Sequence, residues 1–244
     1  MGSHKQAKTV FETDSVIVKY TLAITEVGLW KSEQDLILKY FLNKQANLLD
    51  LGCGAGRSSF NLENLGYKNI YAIDISKKMI DTARLIQKQI HNSKIVFENM
   101  DASNLKYPNA HFNYAFFSFN GFSGIPKHQN RIKALNEIYR VLKPNGIFIF
   151  SIHPWNQQKY QQRLKKENIS KTTEFEIERY GDLIFKNEEN LYDFFHLYSD
   201  TELKQKLSSV GFRVLDIINR DTNYSEDQQV LSFADNTNFW ICQK

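Results

Sequence analysis

The chain of 244 residues contains only 4 prolines, 2 cysteines and 3 methionines. None of its apolar runs approaches the roughly 20 residues of a membrane span. Cys53 and Cys242 stand far apart, so they give neither a disulfide framework nor a metal-ligand spacing, which fits a reducing compartment. No secretory apolar region follows the start, and a cytoplasmic location is expected. The opening "MGSH" resembles a tag remnant and carries no functional weight. Charge of one sign is scarce as well, with 31 Lys and Arg against 27 Asp and Glu. The resulting +4 tolerates an anionic partner, but a committed nucleic-acid binder would cluster its basic residues in a stripe. Aromatic residues are what the chain has in quantity, 18 Phe and 12 Tyr, and these fill cores or line cavities.

Short apolar runs alternate with helical patterns along most of the chain. Residues 8–44 read as two helices, the second opened by Ser32 or the residue before it. "NLLDL" has the length of a buried strand, and "SSFNLENLG" gives two helical turns stopped by Gly66. "NIYAID" is a second strand, after which Ser76 caps a helix bearing Met79, Ile80, Ala83, Ile86 and Ile90 at helical spacing. "KIVFENMD" and "FNYAFFSF" are further strands. A helix with Ile132, Leu135, Ile138, Tyr139 and Leu142 on one face then leads through "KPNG" into "IFIFSIH". Such alternation builds βαβ units and a mostly parallel sheet covered on both faces. From Pro154 the pattern changes to a charged stretch and then "TTEFEIERYGDLIFKN", which predicts a hairpin turning at Gly181-Asp182. This segment, about 154–198, is too short for its own core and reads as an insertion. "SDTE" from Ser199 opens a helix closed by Gly211, and "FRVLDII" and "NFWICQ" are closing strands.

"NLLDLGCGAGRSS" places three alternating glycines directly after the first strand, with Asp50 two residues before the first of them. Open α/β sheets bind ligands at such a loop. The dinucleotide pattern G-x-G-x-x-G fails, because the third glycine position holds Arg57 or Ser59 depending on where counting starts. The phosphate-binding loop pattern fails too, since no lysine follows. Asp50 and the glycines by themselves also fit a plain tight turn, Asp74 a strand-end cap, and Cys53 a small filler.

With its neighbours the loop resembles the first motif of class I S-adenosylmethionine-dependent methyltransferases. "YAIDIS" with Asp74, "ENMDASNL" with Asp101 and Ala102, "NYAFFSFN" and "ALNEIYRVLKPNGIFIFS" follow in that family's order. Likeness is strong over about 30–153 and weaker over the closing helix. It implies a Rossmann-like open, mostly parallel α/β sheet of seven strands with helices on both faces and an antiparallel last strand. It also implies an N-terminal helical lid over 1–44, a methyltransferase domain over 45–244 and the insertion after strand 5. The implied cofactor is S-adenosylmethionine, leaving as S-adenosylhomocysteine, with no metal.

Residue roles follow from the same resemblance. Gly52, Cys53, Gly54 and Gly56 bring bare main chain to the methionine portion, where a Cβ would occupy the space. Asp50 attracts the amine, directly or through water. Asp74 accepts from the ribose hydroxyls, Ile75 and Met79 face the adenine, and Asp101 and the Ala102 amide read its edge. Ser118 and Phe119 line the floor beneath the sulfur.

The acceptor is set by other segments. Tyr20, Trp30 and Glu33 of the N-terminal helices, the loop Asn120–Pro126 and the insertion are expected to form the lid. His153, just past the fifth strand, is the candidate base, and His196 in "YDFFHLYS" a candidate substrate contact. "SFNGF" stands where an Asn-Pro-Pro-Tyr motif would mark methylation of a nucleobase amine or a glutamine amide. The leading expectation is therefore transfer to an O or N atom of a small molecule. A tRNA methyltransferase is the alternative, resting on Lys159, Arg163, Lys165, Lys166 and Lys171, which Glu167 dilutes. A non-catalytic cofactor-binding protein on the same fold is the third reading.

Overall fold

The computed structural model describes residues 9–156, 158, 160, 161, 175–187 and 190–244. The apolar runs become β1 (Asn47–Leu51), β2 (Asn69–Asp74), β3 (Val96–Asn99), β4 (Phe112–Phe117) and β5 (Leu142–Ile152). An antiparallel pair, β6 (Asp182–Lys186) and β7 (Tyr192–His196), stands apart from the main sheet, which β8 (Arg213–Asn219) and β9 (Asn238–Gln243) complete. The sheet has seven strands in the order β3-β2-β1-β4-β5-β9-β8, and β9 runs antiparallel to both its neighbours. Strand order reverses between β1 and β4, and in open sheets ligands bind outside the carboxyl ends of the strands at that place.

The helices are α1 (Asp14–Glu26), α2 (Lys31–Tyr40), α3 (Arg57–Asn64), α4 (Lys77–Gln87), α5 (His128–Val141), α6 (Asp200–Val210), α7 (Arg220–Asn223) and α8 (Gln228–Phe233). Leu36 and Ile37 of α2, Leu62 of α3, Ile80 and Ala83 of α4 and Val230 of α8 share one core layer with Phe116 and Ile149. Leu135 and Ile138 of α5, with Leu203 and Leu207 of α6, cover the other face against Leu49, Ala115 and Phe148. Caps fall where side-chain chemistry puts them. The Ser76 Oγ accepts from the Met79 amide at 3.2 Å, the Ser199 Oγ from the Glu202 amide at 3.2 Å, and Gly211 ends α6 at φ 112°. No helix among the described residues is long and apolar enough to cross a membrane.

α2 begins at Lys31, the residue before Ser32, as expected, with the Trp30 amide held by the Glu33 carboxylate at 3.1 Å. Other expectations are corrected. α4 stops at Gln87, which leaves Ile90 beyond it and exposed. Leu142 opens β5 instead of closing α5. The predicted hairpin exists with a different register: Gly181 precedes β6, Asp182 pairs with His196, and the chain reverses between Lys186 and Tyr192. Alternating polar and apolar residues mark a strand but do not say which turn reverses it.

Candidate active site

A cleft of about 1240 Å³, counted to its open mouth, runs along the carboxyl ends of β1, β2 and β4 and the segment after β3. It is lined by Gly52, Cys53, Gly54, Asp74, Ile75, Met79, Asp101, Ala102, Ser118, Phe119 and Tyr20, so most of the residues expected at the site meet there. Each arrives for a local reason. β2 ends in Asp74, whose Oδ2 accepts from the Gly54 amide at 2.9 Å and whose Oδ1 accepts from the Ser76 amide at 2.8 Å. The carboxylate thereby ties the glycine loop to the start of α4. Burial pushes its pKa up, and the two amides oppose that shift. Asp101 turns the chain after β3, its Oδ1 accepting from the Ser103 amide at 2.8 Å.

The glycines divide in function. A Cβ on Gly52 would lie 2.7 Å from the Phe117 ring, and one on Gly121 would lie 2.3 Å from the same ring. The bareness of Gly52 thus makes room for Phe117, which itself lines the cleft, and not only for a ligand. Gly54 takes φ 55° with only ordinary contact at 3.5 Å from Tyr20, leaving its backbone open to the cleft. Gly56 does not line the cleft. It opens α3 at φ 102°, where a Cβ would strike Phe60 at 2.6 Å. Cys53 reaches the cleft, but burial pushes its thiol pKa well up, which keeps it protonated and unreactive.

Asp50 stands behind the loop, fully buried, and does not reach the cleft wall. Ser58 and Ser59 both donate to its Oδ2, at 2.6 and 2.5 Å, while Oδ1 has no hydrogen-bond partner among the described residues. Burial raises its pKa to about 6 against the two serine hydrogen bonds. Trp30, Asn120, His153 and His196 also stay off the cleft wall. Trp30 is a core anchor between the Arg57 and Arg220 guanidiniums, which lie 5.6 and 5.1 Å from its ring. Asn120 spends its groups internally: its amide donates to the Ser151 Oγ at 2.9 Å, and its Oδ1 accepts from the Thr237 Oγ1 at 3.0 Å. Its Nδ2 lies 3.3 Å from the His153 Nε2, and the imidazole packs edge-on against Phe195. His196 is fully buried, its Nδ1 2.6 Å from Asp182 Oδ1. This contact closes the β6–β7 pair itself, and Arg131 of α5, donating to the same Asp182 at 3.1 Å, ties the pair to the domain.

Sequence reasoning missed Arg57, Phe11, Asp193 and Phe195, all of which line the cleft. Arg57 donates to Glu33 through Nη1 at 2.7 Å and Nη2 at 2.8 Å, to the Gly28 carbonyl at 2.6 Å and to the Ser118 Oγ at 3.0 Å. An arginine directly after the glycine loop was its only signal. Asp193 and Phe195 alternate with the buried Phe194 and His196, a pattern that became legible only once β7 was located. The charged segment holding Lys159, Arg163, Lys165, Lys166 and Lys171 lies outside the described residues. Among the described residues no three His, Cys, Asp or Glu side chains converge as metal ligands would.

The residues present fit S-adenosylmethionine. Gly54 bares its main chain to the cleft, Asp74 lines it with its carboxylate fixed by two amides, and Ile75 and Met79 offer apolar surface along with Asp101. Residues 48–146 match a family model described as a methyltransferase domain. A demethylmenaquinone methyltransferase from Leptospira interrogans is 32% identical over 124 residues, covering 50% of this chain and 48% of that protein. The chain therefore spans about half the length of the curated relatives it matches. A SAM-dependent methyltransferase from Methanosarcina mazei has a similar fold at TM-score 0.69 and 22% identity, covering 89% of this chain and 98% of that one. The [4+2]-cyclase SpnF is similar at TM-score 0.60 and 18% identity, over 86% and 78%. With its ordered motifs, its sheet topology and a match over residues 48–146 to a methyltransferase domain, the chain carries a methyltransferase domain on a fold shared with S-adenosylmethionine-dependent methyltransferases.

Proposed function

We propose that the protein transfers the methyl group of S-adenosylmethionine to an O or N atom of a small-molecule acceptor in the cytoplasm. One observation carries this reading: a single continuous cleft is lined by Gly54, Asp74 and Asp101 together with Tyr20, Phe119, Ile125, Pro126 and Phe195. Polar groups at the sheet edge suit a nucleoside, and an aromatic chamber beside them suits a second, organic molecule. The naming of a relative as a demethylmenaquinone methyltransferase supports an acceptor of small size.

When bound, S-adenosylmethionine supplies a methyl group already activated on a sulfonium, so this chain's residues chiefly bind, align and exclude water. Asp74 accepts from the ribose hydroxyls, Ile75 and Met79 flank the base, and Asp101 with the Ala102 amide reads its edge. Gly52, Cys53 and Gly54 contribute main chain along the methionine portion, and Ser118 is fixed beneath it by Arg57. α1, the loop after β4 and the β6–β7 pair close the chamber as a lid, which corresponds to the division into a lid over 1–44, a domain over 45–244 and an insertion over 154–198. Holding the acceptor in line with the methyl group at about 3–3.5 Å supplies several kcal/mol of the barrier. SpnF, a cyclase with a similar fold, makes transfer itself the point to test. Calorimetric titration with S-adenosylmethionine comes first, followed by labelled methyl transfer into fractionated metabolites, with RNA and protein fractions alongside. No binding at millimolar concentration sinks the cofactor reading, and label confined to RNA or protein sinks the small-molecule one.

A further inference from the structure

Strand register lines up three residues along the sheet edge. β1 runs parallel to β2, with Leu51 opposite Ile73, and parallel to β4, with Asp50 opposite Phe116. Carried past the strand ends, the same register sets Gly52 level with Asp74 on one side and with Ser118 on the other. Contacts agree with it: the Cys53 amide donates to the Ile73 carbonyl at 3.0 Å, and a Cβ on Gly52 would meet the Phe117 ring. Two strand spacings of about 4.8 Å put Asp74 and Ser118 roughly 10 Å apart, with the glycine loop between them. Asp74, Gly52 and Ser118 all line the cleft.

Ser118 is held in this row twice over. After it the chain turns sharply, with Phe119 at φ 50° and Asn120 at φ 59°, a left-handed pair that is unfavourable for the phenylalanine. The Gly121 amide closes the turn on the Ser118 carbonyl at 3.1 Å, and the Asn120 amide donates to the Ser151 Oγ at 2.9 Å. Arg57 in turn donates to the Ser118 Oγ at 3.0 Å. Arg57 is itself fixed by both Glu33 oxygens and the Gly28 carbonyl, so its charge is matched and its direction is set. A hydroxyl that accepts from a guanidinium is a polarised donor, and among the described residues no protein group accepts the Ser118 proton.

We infer that the Ser118 hydroxyl donates to the carboxylate of the amino acid tail of S-adenosylmethionine, with Arg57 as its positioning residue. This rests on the proposed cofactor and deepens that reading. With the ribose at Asp74, a tail extended across Gly52 has the reach to bring its carboxylate to the other end of the row. Like charge at Asp74 turns the carboxylate away from the β2 side, whereas the β4 side offers a donor backed by an ion pair of zero net charge. The hydrogen bond formed there is charge-assisted, and its donor is fixed before the ligand arrives. A ligand without the carboxylate leaves that donor unmatched, so the site selects the intact amino acid.

The test titrates the full chain by calorimetry with three ligands. These are S-adenosylhomocysteine, S-adenosyl-3-thiopropylamine, which is the same molecule without its carboxylate, and 5′-methylthioadenosine, which lacks the amino acid tail. The wild type prefers S-adenosylhomocysteine to the thiopropylamine, and Ser118→Ala lowers that preference by about 10- to 100-fold, the worth of one hydrogen bond to a charged group. Ser118→Thr keeps the hydroxyl and most of the preference. Arg57→Lys lowers the preference on its own but changes it no further in the Ser118→Ala background, because Arg57 acts through that hydroxyl. Affinity for 5′-methylthioadenosine stays the same in every variant, which shows each to be folded and confines the effect to the tail. A preference unchanged in Ser118→Ala, one lost equally in Ser118→Thr, or an equal loss of affinity for all three ligands overturns the assignment. Losses that multiply in the double variant remove Arg57 from its positioning role. Failure of the wild type to bind any of the three brings down the cofactor reading instead, and is separately visible.

Discussion

Glu33 of α2 and Arg57 of α3 form a two-armed ion pair, 2.7 and 2.8 Å long, with both side chains almost wholly out of solvent. It joins the N-terminal helices to the residue that follows the glycine loop, so lid and cofactor loop share one electrostatic joint. Removing one partner strands the other charge in the interior, at a cost of about 3–5 kcal/mol. Arg57→Met and Glu33→Gln should each lower unfolding stability by that order in urea titrations. The double variant Glu33→Leu with Arg57→Met should lose less than the two singles combined. Additive losses would show that the pair is not coupled.

Asp74→Asn and Asp74→Ala test the cofactor end. Asn keeps an acceptor for one of the two amides and loses the charge, whereas Ala releases both the Gly54 and the Ser76 amide. S-adenosylmethionine affinity should fall by about 10- to 100-fold with Asn and further with Ala, measured by calorimetry. An unchanged dissociation constant in the Asn variant would remove Asp74 from the ribose.

Asp50 carries a pH signature. Its folded pKa is raised to about 6 from a usual 3.8, first by burial. A raised carboxylate pKa means that the fold prefers the protonated form. The corresponding stability is fully present below the unfolded value and is lost as pH rises through about 6. Against Asp50→Asn, which does not titrate, the wild type should lose on the order of 3 kcal/mol between pH 4 and pH 7. Denaturant unfolding of both proteins across that range reads the difference, and parallel profiles would place the Asp50 carboxyl in an ordinary solvated state.

His196 separates structure from substrate. It lies between Asp182 and Glu202, with Arg131 donating to Asp182 at 3.1 Å. Burial disfavours the Asp182 charge, but His196 and Arg131 outweigh it and hold that carboxyl below its usual range. His196→Ala takes one partner from each of two carboxylates in a buried network and should cost about 2–4 kcal/mol of stability, with cofactor affinity unaltered. A higher KM for the acceptor with full stability would return His196 to the substrate site.

Much of the cofactor half was legible in the sequence, because its residues sit at fixed places relative to strand ends. Asp74 is the last residue of β2, the glycine loop directly follows β1, and Asp101 with Ala102 directly follows β3. Once the strands are known, a parallel sheet delivers all of these to one edge. Asp50 was identified but misplaced, since its side chain faces inward from the last turn of β1 and serves the serines of α3. The histidines were drawn toward the site by their chemistry, whereas packing put His153 behind Phe195 and His196 inside an ion network.

Period and punctuation determined the alternation of strands and helices, because these are local properties of consecutive residues, and the order of the motifs, by its resemblance to class I methyltransferases, implied the seven-stranded sheet and the cofactor edge. The register of the β6–β7 pair, the Glu33–Arg57 joint across 24 positions and the placing of Asp193 and Tyr20 on the wall of one cleft were decided only in three dimensions. Each of these depends on which distant surfaces are brought together, and the energy that selects them is shared among many side chains, so no short stretch of sequence contains it.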